Sequence, residues 1–285
     1  MTAAIRLTDL RRRFGKLTAL DGLSLEVRPG EIYGFLGRNG AGKTTTLKLL
    51  MGILHPDSGQ IELLGEKVKK VTVGLKRRIG YVSQEQNFYP WMTAAQLGQF
   101  VRGFYPQWDE PEFRRLLALL DVPLDRRASE LSGGTRSKLG LALAFAPHPA
   151  LVLLDEPTAG LDPVARAEFN ELLVQVVRQR GTTAFFSSHI VDEVQQVAHR
   201  VGIIQAGKMR FEGEVSALLG GLRRVTSSAP VSFPAGFTVV RADVVQADPA
   251  LWAQSVWPED VQVAPVDLED AFLAFARTDP VRPTA

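Results

Sequence analysis

Apolar positions along the chain follow two different spacings, which predict strands that alternate with helices. Compact or alternating apolar runs predict strands at 23–27, 31–37, 79–84, 151–155 and 182–189. Helical spacing predicts helices at 42–51, 162–180 and 190–199, and 201–211 has the pattern of a hairpin. Strands that alternate with helices in this way favour a parallel sheet covered by helices.

A different pattern interrupts the alternation at 85–149, where no strand is predicted. Helical spacing occurs at 93–104 and at 110–120, and a third helix begins within LSGGTRSKLG (131–140) and ends near Ala146. This segment is therefore predicted to be an all-helical insertion.

The pattern changes again after about Leu222. Residues 223–266 are rich in Val, Pro and Ala with short strand-like pieces, and 267–277 has the pattern of an amphipathic helix. We therefore predict a first domain at 1–222 and a small α+β accessory domain at 223–285.

The composition excludes several classes of protein. Of the 285 residues, 45% are hydrophobic and 22% charged, which is typical of a globular protein. The absence of cysteine excludes disulfides, thiolate catalysis and Cys-ligated metals. A net charge of +2 does not indicate nucleic-acid binding. No membrane span or signal peptide is recognisable, so we expect a cytoplasmic protein that reaches a membrane only through a partner.

The segment GRNGAGKT (37–44) matches the phosphate-loop pattern G-x-x-x-x-G-K-[ST] in full, between a predicted strand and a predicted helix. We expect Lys43 to reach the β- and γ-phosphates, the Thr44 hydroxyl to bind Mg2+, and Thr45 to contact the α-phosphate. A chance glycine-rich turn is the alternative. The candidate ATP-binding residues in this loop are Gly37, Arg38, Asn39, Gly40, Ala41, Gly42, Lys43, Thr44 and Thr45.

Two acidic residues follow the apolar run LVLL at 151–154. Asp155 is placed to bind Mg2+ directly or through water. Glu156 comes next and can polarise the attacking water as a general base. The alternative is a strand that ends in solvated acids, which a full phosphate loop elsewhere in the chain disfavours.

Three more residues can belong to this site, each with an ordinary structural alternative. Gln84 can complete the Mg2+ shell or sense the γ-phosphate, or it is only a loop residue. His189 can hydrogen-bond the γ-phosphate and hold Glu156, although a lone histidine is more often structural. Phe14 can stack on an adenine ring or belong to the core.

The segment LSGGT (131–135) has the residues of a second anion-binding helix start. Within one copy of the chain, its place in the helical insertion makes it hard to bring to the same nucleotide. A two-fold dimer removes the difficulty, because Ser132, Gly133 and Gly134 of one copy can cap the γ-phosphate held by the other.

Five motifs in this order resemble the ATP-binding subunit of ABC transporters: GRNGAGKT, YVSQEQ, LSGGT, LVLLDEPTAGLD and the strand ending in SSH. The resemblance covers residues 1 to about 220. It implies an α/β fold of the P-loop NTPase kind, with a parallel-sheet core, an N-terminal antiparallel β subdomain and an all-helical insertion. DLEDAF (267–272) resembles the C-terminal helix of ATPases that serve exporters of the antibiotic-resistance type.

The resemblance implies a role for each motif residue. Gln84 matches the glutamine loop, which couples the nucleotide to the membrane partner, and His189 matches the switch histidine. Asp162 in AGLD is expected to touch the partner's phosphate loop. Phe14 matches the aromatic position that stacks on adenine. Thr135 stands where the family mostly has glutamine.

The implied activity is ATP hydrolysis by a head-to-tail dimer of two copies, or of this chain and a close paralogue. Lys43, Gln84, Glu156 and His189 are the catalytic candidates, with Thr44, Gln84 and Asp155 holding Mg2+. Hydrolysis would power export through separate permease subunits, which hold the protein on the inner face of the cell membrane. Nucleic acid is not expected as a partner.

The aromatic segment QEQNFYPWM (84–92) has two interpretations. It packs the helical insertion on the core, or some of Phe88, Tyr89, Trp91 and Met92 form a socket for a permease helix.

Two rival functions share the phosphate loop. A nucleotide or small-molecule kinase has no use for LSGG. A non-transport ABC-type ATPase, acting on a soluble macromolecular partner, would have long coiled-coil arms, two cassettes or zinc-binding cysteines in the types considered, and none of these is found in the sequence.

Overall fold

In a computed structural model, which describes residues 2–241, 243–258 and 260–276, the chain forms three sheets surrounded by helices. The strands are β1 (Ile5–Phe14), β2 (Leu17–Val27), β3 (Ile32–Leu36), β4 (Ser58–Leu63), β5 (Glu66–Val68), β6 (Ile79–Val82), β7 (Leu151–Asp155), β8 (Thr183–Ser188), β9 (Arg200–Gln205), β10 (Lys208–Glu214), β11 (Leu222–Thr226), β12 (Thr238–Arg241), β13 (Val244–Gln246) and β14 (Gln262–Pro265). The helices are α1 (Lys43–Leu50), α2 (Val73–Lys76), α3 (Ala94–Arg102), α4 (Glu110–Leu119), α5 (Gly133–Phe145), α6 (Pro163–Arg180), α7 (Val191–Val197), α8 (Val215–Gly221), α9 (Pro249–Gln254) and α10 (Leu268–Ala276).

The central sheet has the strand order β10-β9-β3-β8-β7-β6, and its strands run parallel except for β10. Strands β3, β7 and β8 are buried along their whole length, which explains why β3 and β7 are almost continuous apolar runs. In the register, Leu36 lies opposite Ser188 and Asp155 lies opposite Ser187. The carboxyl ends of β3, β7 and β8 therefore meet at one edge, which confirms the predicted parallel core.

The antiparallel sheet has the order β2-β1-β4-β5, with β5 at its edge. Its apolar side chains share one hydrophobic cluster with α1 and with one face of the central sheet, including Tyr33, Phe35 and Phe185. This sheet is the N-terminal antiparallel subdomain that the resemblance implies. The periodicity did not identify β4 and β5, because both are short and half exposed.

The segment at 85–149 contains α3, α4 and α5 and no strand among its residues, all of which the structure describes. Each helix is capped at its start by a side chain that accepts a hydrogen bond from a backbone N–H group of the first turn. The capping residues are Thr93, Asp109 and Ser132. The predicted helical insertion is therefore confirmed.

The residues after β10 form a third sheet in the order β12-β13-β11-β14, with a small cluster of its own around Val225, Val245 and Trp252. Helix α10 leaves this sheet and packs Leu268 and Phe272 into the main hydrophobic cluster. The accessory region is thus attached to the rest of the protein by its last helix and by sheet residues such as Leu222 and Val244, which belong to the same cluster. The tail at 279–285, which the sequence predicts to be loosely attached, lies outside the described residues.

Gly98 in α3 provides a test of the packing inside the helical insertion. It is buried, and a Cβ at this position would overlap the Phe113 ring of α4. We expect Gly98→Ala to lower the free energy of unfolding by about 1–3 kcal/mol, because overpacking outweighs the better helix propensity of alanine. The measurement is a denaturant titration.

The matched control is Gly74→Ala in α2, where an added Cβ meets no atom closer than 3.9 Å. We expect this control to be neutral or slightly stabilising. Equal stability of the two variants would contradict the packing argument.

Candidate functional site

The phosphate-loop motif joins β3 to α1. Gly42 has φ 114°, and a Cβ there would lie 2.8 Å from the Ala19 carbonyl oxygen, so only glycine suits the position. Helix α1 begins at Gly42 without a side-chain cap, which leaves N–H groups of its first turn available to an anion. Lys43 Nζ donates to the Gly37 carbonyl oxygen at 2.6 Å and so curls back over the loop.

Three predicted catalytic side chains converge on the Glu156 carboxylate. Lys43 Nζ lies 3.1 Å from Glu156 Oε1, and His189 Nδ1 lies 3.0 Å from Glu156 Oε2. Gln84 Nε2 is 3.5 Å from the same Oε2 atom. Lys43 and Glu156 are 5% and 8% exposed, so both charges are buried and each is the other's main counter-charge.

Asp155 keeps one oxygen atom without a partner. Its Oδ1 accepts from Ser187 Oγ at 2.8 Å and from Thr44 Oγ1 at 3.2 Å. Its Oδ2 is buried and has no hydrogen-bond partner among the described residues. Burial raises the pKa of the Asp155 carboxyl above its ordinary value. A carboxylate oxygen without a partner beside a threonine hydroxyl is a donor set that suits Mg2+.

Ser187 is a functional residue that the sequence analysis missed. Its hydroxyl donates to Asp155 and accepts from the backbone N–H of Glu156 at 3.0 Å. It thereby holds Glu156 in a left-handed conformation with φ 47°. The available signal was a serine pair at the end of an otherwise apolar strand that is buried throughout.

Glu193 was also missed. This buried carboxylate on α7 accepts from Thr158 Oγ1 at 2.7 Å and from Ser188 Oγ at 3.1 Å. Arg166 Nε lies 3.7 Å from its other oxygen. Glu193 therefore ties the segment after Glu156 to the residue before His189.

A cavity of about 340 Å3 lies over the phosphate loop. Phe14 is 42% exposed at its wall and is not part of the core, and the Arg12 guanidinium lies 4.8 Å from its ring centroid. The sequence-predicted residues that line the cavity are Phe14, Arg38, Asn39, Gly40, Gly42, Lys43, Thr44, Thr45, Gln84 and Glu156. A neighbouring cavity of about 620 Å3 takes in Ala41, His189 and Phe272 of α10.

The segment LSGGT at 131–135, here called the second glycine loop, does not line the cavity over the phosphate loop. Ser132 Oγ caps α5 by accepting from Thr135 N at 3.1 Å, and it also lies 2.8 Å from Thr135 Oγ1. A Cβ on Gly134 would lie 3.4 Å from the Leu161 side chain, so this loop adjoins the segment that ends in Asp162. Asp162 caps α6, accepting from Val164 N and Ala165 N at 2.9 Å.

No helix in the described part of the chain has the length and apolarity needed to cross a membrane.

Comparison with known proteins identifies relatives that match about three quarters of the chain. The sequence model of the family described as ABC transporter matches residues 20–159. The chain is 38% identical over 215 residues to the bacitracin transport ATP-binding protein BcrA of Bacillus licheniformis, covering 74% of this chain and 70% of that protein. It is 39% identical over 223 residues to the Nod factor export ATP-binding protein I of Paraburkholderia xenovorans, covering 76% and 73%.

Solved structures with the same fold agree with the predicted architecture. An ATP-binding subunit of an ABC transporter superposes with a TM-score of 0.68 at 24% identity, covering 75% of this chain and 91% of that one. A dimeric ATP-binding cassette with bound ADP and Pi superposes with a TM-score of 0.66 at 23% identity, covering 74% and 98%. The two curated relatives, which are named for bacitracin transport and Nod factor export, favour neither the kinase nor the non-transport alternative. The chain is 38% and 39% identical to its two curated relatives and covers 70% and 73% of their length, so it belongs to the ATP-binding proteins of the ABC transporter family.

Proposed function

We propose that the chain hydrolyses ATP as a head-to-tail dimer and so powers export through a membrane permease. The observation that supports this best is the convergence of Lys43, Gln84 and His189 on the buried Glu156 carboxylate. Glu156 lines the same cavity as the phosphate loop. A binding module would need the loop and its lysine. A buried carboxylate oriented by a histidine is what hydrolysis needs in addition.

ATP binding would change the partner of Lys43. In the structure its ammonium group lies against Glu156 and the Gly37 carbonyl oxygen. Phosphate oxygens that enter the loop offer the lysine a stronger counter-charge, so the Glu156 carboxylate is released to take a proton from the attacking water. His189 holds Glu156 from the other side and can donate to the γ-phosphate. Phe14 would stack on the adenine ring.

Mg2+ fits the residues at the end of β7. Thr44 and the Asp155 oxygen without a partner would hold it, with Gln84 at its periphery. When bound, the ion would neutralise charge on the β- and γ-phosphates. Ser187 keeps the Asp155 carboxylate turned toward Thr44 through its 2.8 Å hydrogen bond.

The second glycine loop would act on the nucleotide of the partner subunit. Ser132, Gly133 and Gly134 lie next to the segment that ends in Asp162, away from the cavity of their own chain. A two-fold axis would bring this surface over the other copy's phosphate loop. ATP then binds the closed dimer more tightly than the open one, and this difference in affinity does the mechanical work.

Export and the permease are supported by the relatives, which are named for bacitracin transport and Nod factor export. An apolar groove of about 580 Å3, here called the permease groove, lies between α2, α3 and α5 and is lined by Phe88, Phe100 and Phe104 among others. Tyr89 and Trp91 extend it, with ring centroids 5.6 Å from Phe100 and 5.3 Å from Tyr89 respectively. Met92 instead packs against the main hydrophobic cluster.

The groove would receive a helix from a cytoplasmic loop of the permease, which would hold the chain at the inner face of the cell membrane. Gln86, two residues after Gln84, lines this groove. This position supports coupling between the permease helix and Gln84.

We assign 1–222 to the ATPase domain, with its helical part at 85–149, and 223–285 to the accessory domain. The separate sheet and cluster around Trp252 support this boundary, and α10 would connect the two parts.

Asp155→Asn separates stability from function. Burial raises the pKa of the Asp155 carboxyl, so its ionised form lowers the free energy of unfolding at pH values above that pKa. At a pH where the carboxyl is protonated in both the folded and the unfolded chain, it has no such effect. We therefore expect the nucleotide-free variant to melt at a higher temperature than the wild type near about pH 7, with the gain disappearing near about pH 4.

The same variant should lose Mg2+-dependent hydrolysis, because an amide binds Mg2+ far more weakly than a carboxylate. Melting curves at both pH values, with and without Mg2+ and ATP, measure both effects. A lower melting temperature near about pH 7 would count against a buried carboxylate that lacks a partner.

Glu156→Gln tests the dimer. The amide keeps the shape of the side chain but cannot take the proton of water, so MgATP should bind and persist. We expect hydrolysis to fall by a factor of at least about 100 and a stable dimer to appear on size exclusion with MgATP. Lys43→Ala is the control, and it should bind little nucleotide and stay monomeric. A monomeric Glu156→Gln protein in MgATP would refute the head-to-tail proposal.

Trp91→Ala tests the permease groove. Trp91 is 63% exposed, so its removal should leave stability and the hydrolysis of the isolated chain unchanged. We expect hydrolysis stimulated by the co-expressed permease to fall about tenfold, as for the loss of an aromatic anchor at an interface. Val256→Ala, at a residue 96% exposed, is the matched control. Unchanged complex formation and stimulation would exclude Trp91 from the interface.

A further inference from the structure

The segment EKVKKVTVGLKRR at 66–78 concentrates positive charge on one part of the surface. Six of its thirteen residues are Lys or Arg and one is Glu, whereas the net charge of the whole chain is +2, so the remaining sequence is net acidic. Lys67, Lys69 and Lys70 are exposed on β5 and just after it, at the edge of the antiparallel sheet. The other cations follow at 76–78.

Most of these cations have no acidic partner. In the described part of the chain, Arg78 alone among them forms an ion pair, with Glu66 at 3.1 Å. Lys67, Lys69 and Lys70 form no ion pair with any described residue. Lys67 lies opposite Glu62 in the β4–β5 ladder, whereas Lys69 and Lys70 have solvent ions as counter-charges, which an anionic surface can displace.

Apolar side chains stand among the charges. Val73 in α2 is 67% exposed, and Phe104 across the permease groove is 56% exposed. Arg77 links the two sides by donating from Nε to the Phe104 carbonyl oxygen at 3.2 Å. Cations interspersed with exposed apolar and aromatic groups are the combination that lies at the headgroup level of a bilayer.

A protein helix in the groove would not account for the whole segment. Lys76 and Arg77 line the groove, but Lys67 lies in a separate cleft with Arg6 and Glu62. Lys69 and Lys70 line neither. A single docked helix leaves the lysines of the sheet edge in water, whereas a broader anionic surface beside the groove can also contact them.

We propose that 66–78 binds the anionic phospholipid headgroups of the membrane in which the permease lies. This inference rests on the proposed function, which puts the adjoining groove against a permease and so turns this edge of the chain toward the bilayer. The lipid contact would then orient the ATPase before and during permease binding.

The test uses the purified chain without permease or nucleotide. Sedimentation is measured with vesicles of phosphatidylcholine alone and with vesicles containing about one third phosphatidylglycerol, at about 0.05 M and about 0.5 M salt. The variant is Lys69→Gln/Lys70→Gln. The matched control is Arg178→Gln/Arg241→Gln, which removes the same charge from two positions without an ion pair to any described residue, far along the chain from 66–78.

We expect binding to the anionic vesicles only, lost at the higher salt concentration. The lysine variant should lower the partition coefficient about twentyfold, and the arginine control should not. MgATP hydrolysis by the isolated chain should be the same in all three proteins, since neither pair lines the nucleotide cavity.

Equal binding to both kinds of vesicle, no binding to either, or equal losses in the two variants would overturn the proposal. It would also be overturned if the lysines affected binding to an acidic peptide from the permease loops but not to vesicles. Absence of MgATP hydrolysis in the wild-type chain would count against the proposed function instead, because the vesicle assay contains no nucleotide.

Discussion

Lys43 and Glu156 are each more than nine-tenths buried, and their charged groups lie 3.1 Å apart. Neither charge could be buried alone without a cost of several kcal/mol, so each requires the other until a ligand replaces one of them. One residue opens α1 and the other follows β7, and they meet because β3, β7 and β8 are parallel and in register. The order of strands in the central sheet therefore decides whether the site exists.

A second consequence of burial falls on Asp155. One of its oxygen atoms has no partner in the described part of the chain, and burial raises the pKa of its carboxyl. Without nucleotide, the protein is therefore less stable with an ionised Asp155 than it would be with a neutral side chain at this position. Ser187 and Glu193 hold the loops around it, through the Asp155 carboxylate and through Thr158 and Ser188. In the proposed mechanism, nucleotide and Mg2+ supply the charges that this arrangement lacks.

The proposed partner surfaces are separate from the cavity. Ser132 and Asp162 lie at the starts of α5 and α6 and act, in the proposed dimer, on the other copy's nucleotide. The permease groove and the basic segment at 66–78 adjoin each other through Lys76 and Arg77. In the proposed function, the helical insertion would connect dimer closure to the permease, since α5 contributes residues both to the groove and to the second glycine loop.

The sequence by itself determined the features that depend on a few neighbouring residues. GRNGAGKT forms its loop because its glycines permit the required backbone, and α6 starts and ends at Asp162 and Gly181 because capping is local. The parallel core and the helical insertion followed from periodicity. Ser187, Glu193 and the packing of α10 on the core were decided by the tertiary structure alone. Asp155, Thr158 and Gln195, which bond to Ser187, Glu193 and Leu268, lie 32, 35 and 73 residues away from them. Only the strand register and the packing of the helices bring these groups within bonding distance.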